Sequence, residues 1–196
     1  MTPLVERILA IDEALDDAGI PHAFGGALAL AYAVAEPRGT RDIDVNLFVP
    51  EGEANRVLGA LPSAVEVEAG DVARAERDGQ VRVHWGEYPV DLFFDVHRFH
   101  QLASRRVRRV PLAGRRIPVL DATDLTVFKV LFDRTKDWAD LEAMLEVSSF
   151  DADEVATWLD DLVGPDDQRT VRFRALIARG PSDSSEVRRF PMRPPT

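Results

Sequence analysis

Two aspartates, Asp42 and Asp44, stand two positions apart in the segment Asp-Ile-Asp-Val-Asn-Leu-Phe-Val. In a β-strand, residues i and i+2 project from the same face, so both carboxylates point one way while Ile43 and Val45 face the core. Neighbouring carboxylates repel each other unless a cation lies between them. Oxygen ligands of this kind suit Mg²⁺, which proteins usually bind together with substrate phosphates. A solvated strand end that carries two acids has the same pattern, so the pair alone leaves both interpretations open.

Two further features have the residue types that a phosphate-transfer site needs. Gly25 and Gly26 lie between a predicted strand and a predicted helix, where bare backbone N–H groups can approach an anion, although a simple tight turn is the alternative. Asp91 lies in the run Val-Asp-Leu-Phe-Phe, where an acid is costly without a partner. If its strand lies beside the strand of Asp42, Asp91 completes a three-carboxylate site for two metal ions, with Asp95 as the second candidate.

Lys129 interrupts an otherwise apolar helical run. Its stem can lie along a helix that keeps one wet face, with the ammonium in water. Alternatively, the ammonium reaches the phosphates of a nucleotide. Asp140 either fixes Lys129 or Lys136, or forms a salt bridge on the helix surface.

The charge is unevenly distributed along the chain. The sequence has 24 basic and 34 acidic residues and a net charge of -10, which taken alone argues against a nucleic-acid partner. Residues 101–119, however, contain six arginines and no acid. Arg105, Arg106, Arg108 and Arg109 are therefore the predicted contacts with RNA phosphates, and such binding would be sensitive to salt. A solvated hairpin with exposed arginines is the alternative.

The elements that must position these residues follow from apolar periodicity and turn residues. An α/β part over residues 1–119 is followed by a helical part over 120–180. The segment 181–196 contains four prolines and is predicted to be mobile. Strands are predicted at 20–24, 42–49, 65–67, 81–85 and 90–94, with a hairpin formed by 105–110 and 115–119. Helices are predicted at 3–18, 27–35 and 52–60, and then at about 121–132, 136–147, 151–163 and 166–178.

Composition excludes several classes of protein. The chain of 196 residues is 45% apolar and 30% charged, so it can bury a core. It has no cysteine, which excludes disulfides, thiolate zinc sites and a cysteine nucleophile. The longest nearly uncharged run, 23–35, is shorter than the roughly 18 residues that a membrane span needs. A basic region followed by an apolar stretch is lacking at the N-terminus, so we expect a cytoplasmic protein.

Four motifs occur together in an order that resembles the DNA polymerase β-type nucleotidyltransferases. The long spacing between the first two motifs and the later lysine-acid motif resemble the AbiEii-like branch of that superfamily. Within the branch, the chain is similar to the MenT group of mycobacterial toxins. The motifs are Gly25-Gly26, Arg38-Gly39-Thr40-Arg41-Asp42-Ile43-Asp44, Val90-Asp91-Leu92, and Lys129 followed by Lys136-Asp137-Trp138-Ala139-Asp140-Leu141.

The resemblance implies an α+β fold with a mixed sheet, followed by a helical C-terminal part. It also implies an enzyme that uses two Mg²⁺ ions to transfer a nucleoside monophosphate from an NTP to a hydroxyl group. Gly25 and Gly26 would cradle the triphosphate, and Asp42 and Asp44 would hold both metal ions. Asp91 would ligate the catalytic metal and help to activate the acceptor.

The resemblance gives four more residues a role in substrate binding: Arg38, Thr40, Lys136 and Asp140. Thr40 would lie close to the phosphates, and a Ser or Thr here is a phosphorylation target in some toxin–antitoxin pairs. The acceptor implied is the tRNA 3′ end, with a cognate antitoxin as a further partner. A small molecule such as an aminoglycoside, or a protein hydroxyl, is the alternative acceptor. A non-catalytic interaction module is the third alternative, although all three acids and both glycines are present.

Overall fold

A computed structural model describes residues 3–36 and 39–181 of the chain. Arg38 and the predicted mobile segment beyond residue 181 lie outside the described residues. Nine α-helices form in the described part: α1 (Pro3–Asp17), α2 (Gly26–Ala33), α3 (Ala54–Ala60, after a 3₁₀ turn at Glu51–Glu53), α4 (Asp71–Asp78), α5 (Arg98–Arg105), α6 (Ala122–Phe132), α7 (Thr135–Glu146), α8 (Ala152–Leu162) and α9 (Gln168–Arg179). The strands there are β1 (His22–Phe24), β2 (Ile43–Leu47), β3 (Gln80–Trp85), β4 (Tyr88–Phe93), β5 (Arg108–Leu112) and β6 (Arg115–Val119).

The six strands form one sheet in the order β3-β4-β2-β1-β6-β5. Two neighbouring pairs, β2 with β4 and β1 with β6, run parallel, and the other three pairs run antiparallel. Helices α6 to α9 follow the last strand. The predicted α+β architecture, a mixed sheet with a helical C-terminal part, is therefore confirmed.

One continuous hydrophobic core joins the sheet to the C-terminal helices. It contains Phe24 and Leu92 from the strands together with Leu141 and Phe173 from α7 and α9, all fully buried. In α6 the residues from 122 to 130 are all buried, because this helix contacts α2, α7, α8 and α9. The residues of α6 and α7 are thereby held at fixed positions relative to the sheet. Among the described residues, no helix is both long and apolar enough to cross a membrane.

The predicted strand at 65–67 is wrong. Only Glu66 makes an isolated antiparallel bridge, to His84 of β3. The segment is extended for one residue pair and then turns into α4, so it never forms a ladder. Its valines Val65 and Val67 have strand propensity, but Val67 is exposed and gains little from pairing.

Helices α4 and α5 are not predicted by the periodicity. In α4 only Asp71 and Ala75 are buried, so this eight-residue, mostly charged helix lacks the apolar residues from which the other helices are predicted. Gly79, which ends α4 in the left-handed conformation, is the local signal that marks the helix end. Helix α5 extends to Arg105, so the hairpin strand β5 begins at Arg108 and not at residue 105.

Candidate active site

Three carboxylates lie on one face of the sheet. Strands β2 and β4 are parallel neighbours, and their register places Asp44 directly beside Asp91. Asp42 lies just before β2, and its negative charge acts on Asp44, so it belongs to the same group of carboxylates. The predicted neighbourhood of these two strands is confirmed. Asp95, the second candidate for a third acid, lies beyond the end of β4 and donates its backbone N–H to Val49.

The carboxyl group of Asp44 is strongly perturbed. Burial, together with the negative charges of Asp91 and Asp42, raises its pKa to about 6. Arg134 and Lys136 act against this rise. A cation beside the carboxylate would relieve both the desolvation and the repulsion. The oxygen donors on this face therefore fit a divalent ion such as Mg²⁺.

Gly25 and Gly26 cross from β1 into α2 immediately beside Asp44. The Gly25 N–H donates to the Asp44 carbonyl oxygen at 2.9 Å, which ties the turn to β2. Gly26 has a φ of +50°, and a Cβ atom at this position would lie 1.8 Å from Asp44 Oδ2. A Cβ atom at Gly25 would lie 2.7 Å from Asn46 Nδ2. Glycine is thus required for the close approach, and no side chain caps the N-terminus of α2.

Asp91 is held by an arginine that the sequence pattern does not reveal. Arg82 lies opposite it on β3, and its Nε and Nη2 atoms donate to the two carboxylate oxygens, each at 2.7 Å. The Asp91 side chain is only 14% exposed, whereas that of Arg82 is 54% exposed, so the carboxylate is covered while the guanidinium faces solvent. Identifying the partner requires the register of the β3–β4 hairpin, which the turn at Gly86 sets.

The loop between α6 and α7 and the first turn of α7 bring two cations, Arg134 and Lys136, toward the carboxylates. Lys136 Nζ lies 4.0 Å from Asp42 Oδ2, although both side chains are well exposed. Arg134 donates from Nε to Asp137 Oδ2 at 2.6 Å. The nearby charges of Asp44 and Asp91 add to this hydrogen bond in raising the pKa of Arg134.

Lys129 and Asp140 lie together behind this loop. Lys129 Nζ donates to Asp140 Oδ2 at 2.6 Å and to Asp137 Oδ1 at 3.3 Å. Asp137 is fully buried; although burial raises its pKa, hydrogen bonds from Arg134 and the charge of Lys129 hold that pKa below its usual range. Lys129 also lines a small cavity beside Gly26. Of the two partners considered for Asp140, the structure places it on Lys129.

Thr40 shapes the approach to Asp42. Its Oγ1 accepts a hydrogen bond from the Asp42 N–H at 3.1 Å, which closes a short turn just before β2. Thr40 also lines a mainly apolar cavity of about 520 Å³ on the α1 and α2 side of the site. This cavity extends from Asp42 and Asp44 to Tyr32 and Leu112.

The arginines of residues 105–116 do not form one free surface. Arg106 is directed into the protein, where it pairs with buried Asp124 and with Glu154. Arg109 lies 4.0 Å from Asp16 of α1. Arg105 and Arg108 are exposed, and neither forms an ion pair with another described residue.

A separate acid and histidine group lies at the other end of β1 from the glycines. Asp12, Asp16 and His22 bring ligand atoms within 4.8 Å of one another. His22 Nε2 is 3.2 Å from Asp12 Oδ1. Within the described ranges, the carboxylates of Asp42, Asp44 and Asp91 do not form so tight a group, and Asp91 is bound by Arg82.

Comparison with known proteins gives structural but no sequence relatives. No family model matches the chain, and no curated protein matches it. The antibiotic-resistance factor ANT(2'')-Ia in solution matches over 89% of this chain and 93% of its own, with a TM-score of 0.56 and 15% identity. Its crystal structure in complex with adenylyl-2''-tobramycin matches over 89% and 98%, with a TM-score of 0.57 and 15% identity. The chain has the nucleotidyltransferase fold.

A third match agrees with this assignment. An antigenic nucleotidyltransferase-like protein from Paracoccidioides brasiliensis is similar over 90% of this chain and 87% of its own, with 15% identity and a TM-score of 0.51. Identities this low establish the shared fold, whereas chemistry has to be argued from the side chains of the site.

Proposed function

We propose that the protein transfers a nucleoside monophosphate from an NTP to an acceptor hydroxyl. The observation that carries this proposal is the register of β2 and β4, which aligns Asp44 with Asp91, while the charge of Asp42 acts on Asp44 from the residue before β2. The turn Gly25-Gly26 lies against Asp44 and exposes the uncapped N-terminus of α2. A phosphate chain and its counter-ions need this combination of backbone N–H groups and carboxylates.

Each residue has a distinct task in the proposed reaction. Backbone N–H groups after Gly25 and Gly26 bind the phosphates that leave as pyrophosphate. Asp42 and Asp44 would hold two Mg²⁺ ions, with Asp91 as a further ligand. Such ions, when bound, stabilise the charge on the attacking and leaving oxygens. Lys129 stays a proposed phosphate contact, since its ammonium lies near Gly26 but is paired with Asp137 and Asp140.

The reaction is an in-line displacement at the α-phosphorus. The acceptor oxygen forms a new bond to phosphorus, the bond to the pyrophosphate oxygen breaks, and pyrophosphate leaves on the opposite side. The proton of the acceptor hydroxyl passes to a carboxylate oxygen of Asp91. Asp91 must exchange its bond with Arg82 for contact with the acceptor, so the pair of Asp91 with Arg82 is the resting state.

We further propose that the acceptor is a tRNA 3′ end and that the protein is the toxin of a toxin–antitoxin pair. The support is the similarity of the motifs around Thr40 and Asp140 to the AbiEii-like branch and its MenT group. Arg105 and Arg108 remain free to contact RNA outside the site. Arg38 and Lys136 remain proposed substrate contacts, Lys136 because it reaches toward Asp42.

An aminoglycoside is the second candidate acceptor. Two observations favour it: the similarity to ANT(2'')-Ia, seen with adenylyl-2''-tobramycin, and a net charge of -10, which attracts a polycation. On this alternative the chemistry at Asp42, Asp44 and Asp91 is unchanged. Only the surface that receives the acceptor differs.

A transfer assay with two acceptors tests the proposed function. The purified protein is incubated with Mg²⁺, each radiolabelled NTP in turn, and either total tRNA or an aminoglycoside panel. We expect label from one NTP to appear on RNA, and no label with the Asp42→Ala variant. Label on an aminoglycoside alone would select the second candidate. If no NTP labels either acceptor or the protein itself, nucleotidyl transfer is refuted.

A charge placed at Thr40 should block nucleotide binding. Thr40 lines the cavity that contains Asp42 and Asp44, so a carboxylate there would repel the incoming triphosphate. Thr40→Glu should raise the KM for the NTP by roughly tenfold or more, and phosphate, with a charge of about -1.5 to -2, should act more strongly. Thr40→Ser keeps the hydroxyl that accepts from Asp42 and should behave like the wild type. An unchanged KM for the NTP in Thr40→Glu would show that Thr40 does not lie at the nucleotide site.

A further inference from the structure

A cleft of about 390 Å³ opens on the Asp91 side of the site, between α4, the β3–β4 hairpin and the α6–α7 loop. It differs from the apolar cavity at Thr40, because three guanidinium groups line it. We call it the arginine cleft and define it by six of its lining residues: Arg74, Gln80, Arg82, Asp91, Phe132 and Arg134.

The order of the strands places this cleft on the acceptor side of the proposed reaction. Gly25 and Gly26 follow β1, the carboxylates of Asp42 and Asp44 belong to β2, and the arginine cleft lies over β4 and β3. In an in-line displacement the attacking oxygen approaches opposite the leaving group. With pyrophosphate held at the glycines over β1, the acceptor must approach across β2 from β4 and β3.

The cleft offers cationic donors to whatever enters it. Arg82 uses Nε and Nη2 on Asp91, and Arg134 uses the same two atoms on Asp137. For both arginines, no hydrogen bond between described residues engages Nη1. The side chain of Arg74 is 46% exposed beside its partner Asp71. Guanidinium groups placed this way bind phosphate oxygens.

Phe132 adds a flat apolar surface at the same place. It is 39% exposed, unusual for a phenylalanine, and packs against Phe93 with ring centroids 5.3 Å apart. The Arg134 guanidinium lies 4.8 Å from the Phe132 ring centroid. Exposed aromatic rings beside arginines are the elements on which single-stranded nucleic-acid bases stack.

The same lining does not suit a polycationic acceptor. Three guanidinium groups face two carboxylates in the cleft, so its net charge repels a polycation even after Asp91 releases Arg82. Asp91 is bound by Arg82, and both carboxylate oxygens of Asp78, which also lines the cleft, accept from Arg77.

We propose that the arginine cleft binds the 3′-terminal nucleotides of an RNA acceptor, with phosphates on Arg74 and Arg82 and a base on Phe132. This inference rests on the proposed nucleotidyl transfer and names the acceptor class for that site. On this proposal the reacting end of the RNA lies over β3 and β4. Arg105 and Arg108 are then left to contact more distant parts of a large RNA.

Binding of a short single-stranded RNA oligonucleotide, measured by fluorescence anisotropy without metal at several salt concentrations, tests the inference. Arg74→Gln should weaken binding roughly tenfold at low salt and flatten the log–log salt slope by about 0.7, the value for one lost phosphate contact. Arg74→Lys keeps the charge and should keep the slope. Arg174→Gln is the matched control, because Arg174 is also paired with an aspartate and is 45% exposed, but lies on α9.

A second variant guards against misfolding, since Arg74 also pairs with buried Asp71. Phe132→Ala leaves that pair intact and should weaken oligonucleotide binding roughly tenfold through lost stacking. The affinity for Mg²⁺-NTP should stay unchanged in Arg74→Gln, because Arg74 does not line the cavity beside Gly26. If both variants bind the oligonucleotide like the wild type, the cleft is not the acceptor site. If the wild type modifies only an aminoglycoside, this inference fails while nucleotidyl transfer stands; if it transfers to nothing, both fail.

Discussion

Replacing Asp44 by asparagine should abolish nucleotidyl transfer and, in the absence of metal, make the fold more stable. Loss of a ligand that stabilises the transition state by several kcal/mol lowers the transfer rate about 1,000-fold or more. The gain in stability has a separate cause. Burial and the charges of Asp91 and Asp42 raise the pKa of Asp44 to about 6, so ionised Asp44 destabilises the metal-free fold at neutral pH.

The sign of the pH dependence follows from this raised pKa. Between the pKa of an unfolded aspartate, about 3.9, and about 6, the folded chain binds more protons at Asp44 than the unfolded chain does. The stability of the metal-free wild type therefore falls as the pH rises through this window. The loss is about 3 kcal/mol at most above pH 7, and Asp44→Asn should not show it.

Thermal unfolding in a chelator at pH 4.5 and pH 7.5 measures this effect. Asp44→Asn should exceed the wild type in Tm by about 5 to 10 °C at pH 7.5 and by much less at pH 4.5. Asp42→Asn is the control, and it should also abolish transfer. The Asp42 side chain is 38% exposed, so its replacement should raise the Tm much less than that of Asp44. Equal Tm values for Asp44→Asn and the wild type at pH 7.5 would contradict the crowding of charge around Asp44.

The pattern of the sequence predicts the parts of the site that depend on local geometry. The two-residue period of a strand is enough to place Asp42 and Asp44 on one face, and Gly25-Gly26 marks the turn before α2. Asp91 is recognisable because it is an acid among apolar strand residues. These signals lie within a few neighbouring positions, so a single sequence contains them.

The contacts that control these residues depend on tertiary pairing, which the sequence pattern does not reveal. From the sequence, Arg82 is one of several polar residues in an alternating strand. Only the register of β3 on β4 shows that it lies opposite Asp91. Likewise, Lys129 and Asp137 meet because α6 and α7 pack together. For Arg106 the sequence pattern is misleading. It groups Arg106 with exposed arginines, but the side chain pairs with buried Asp124 of α6, a helix that starts 16 residues later.

Gly26→Ala should strongly reduce transfer, although it removes no functional group. A Cβ atom at Gly26 would lie 1.8 Å from Asp44 Oδ2, so the carboxylate must move by more than an ångström. Misplacement of this size costs about 100-fold in rate. The positive φ of +50° adds a backbone cost of about 1 to 2 kcal/mol.

Gly19→Ala separates the two causes. Gly19 has a φ of +63°, but a Cβ atom there would meet nothing within 4 Å. It should therefore lose about as much stability as the backbone strain costs, about 1 to 2 kcal/mol, with transfer unchanged. Transfer rates and unfolding free energies of both variants make the comparison. Both variants share the backbone strain, but only Gly26→Ala brings a Cβ atom against Asp44. Equal transfer rates in the two variants would therefore show that the turn does not hold Asp44 in place.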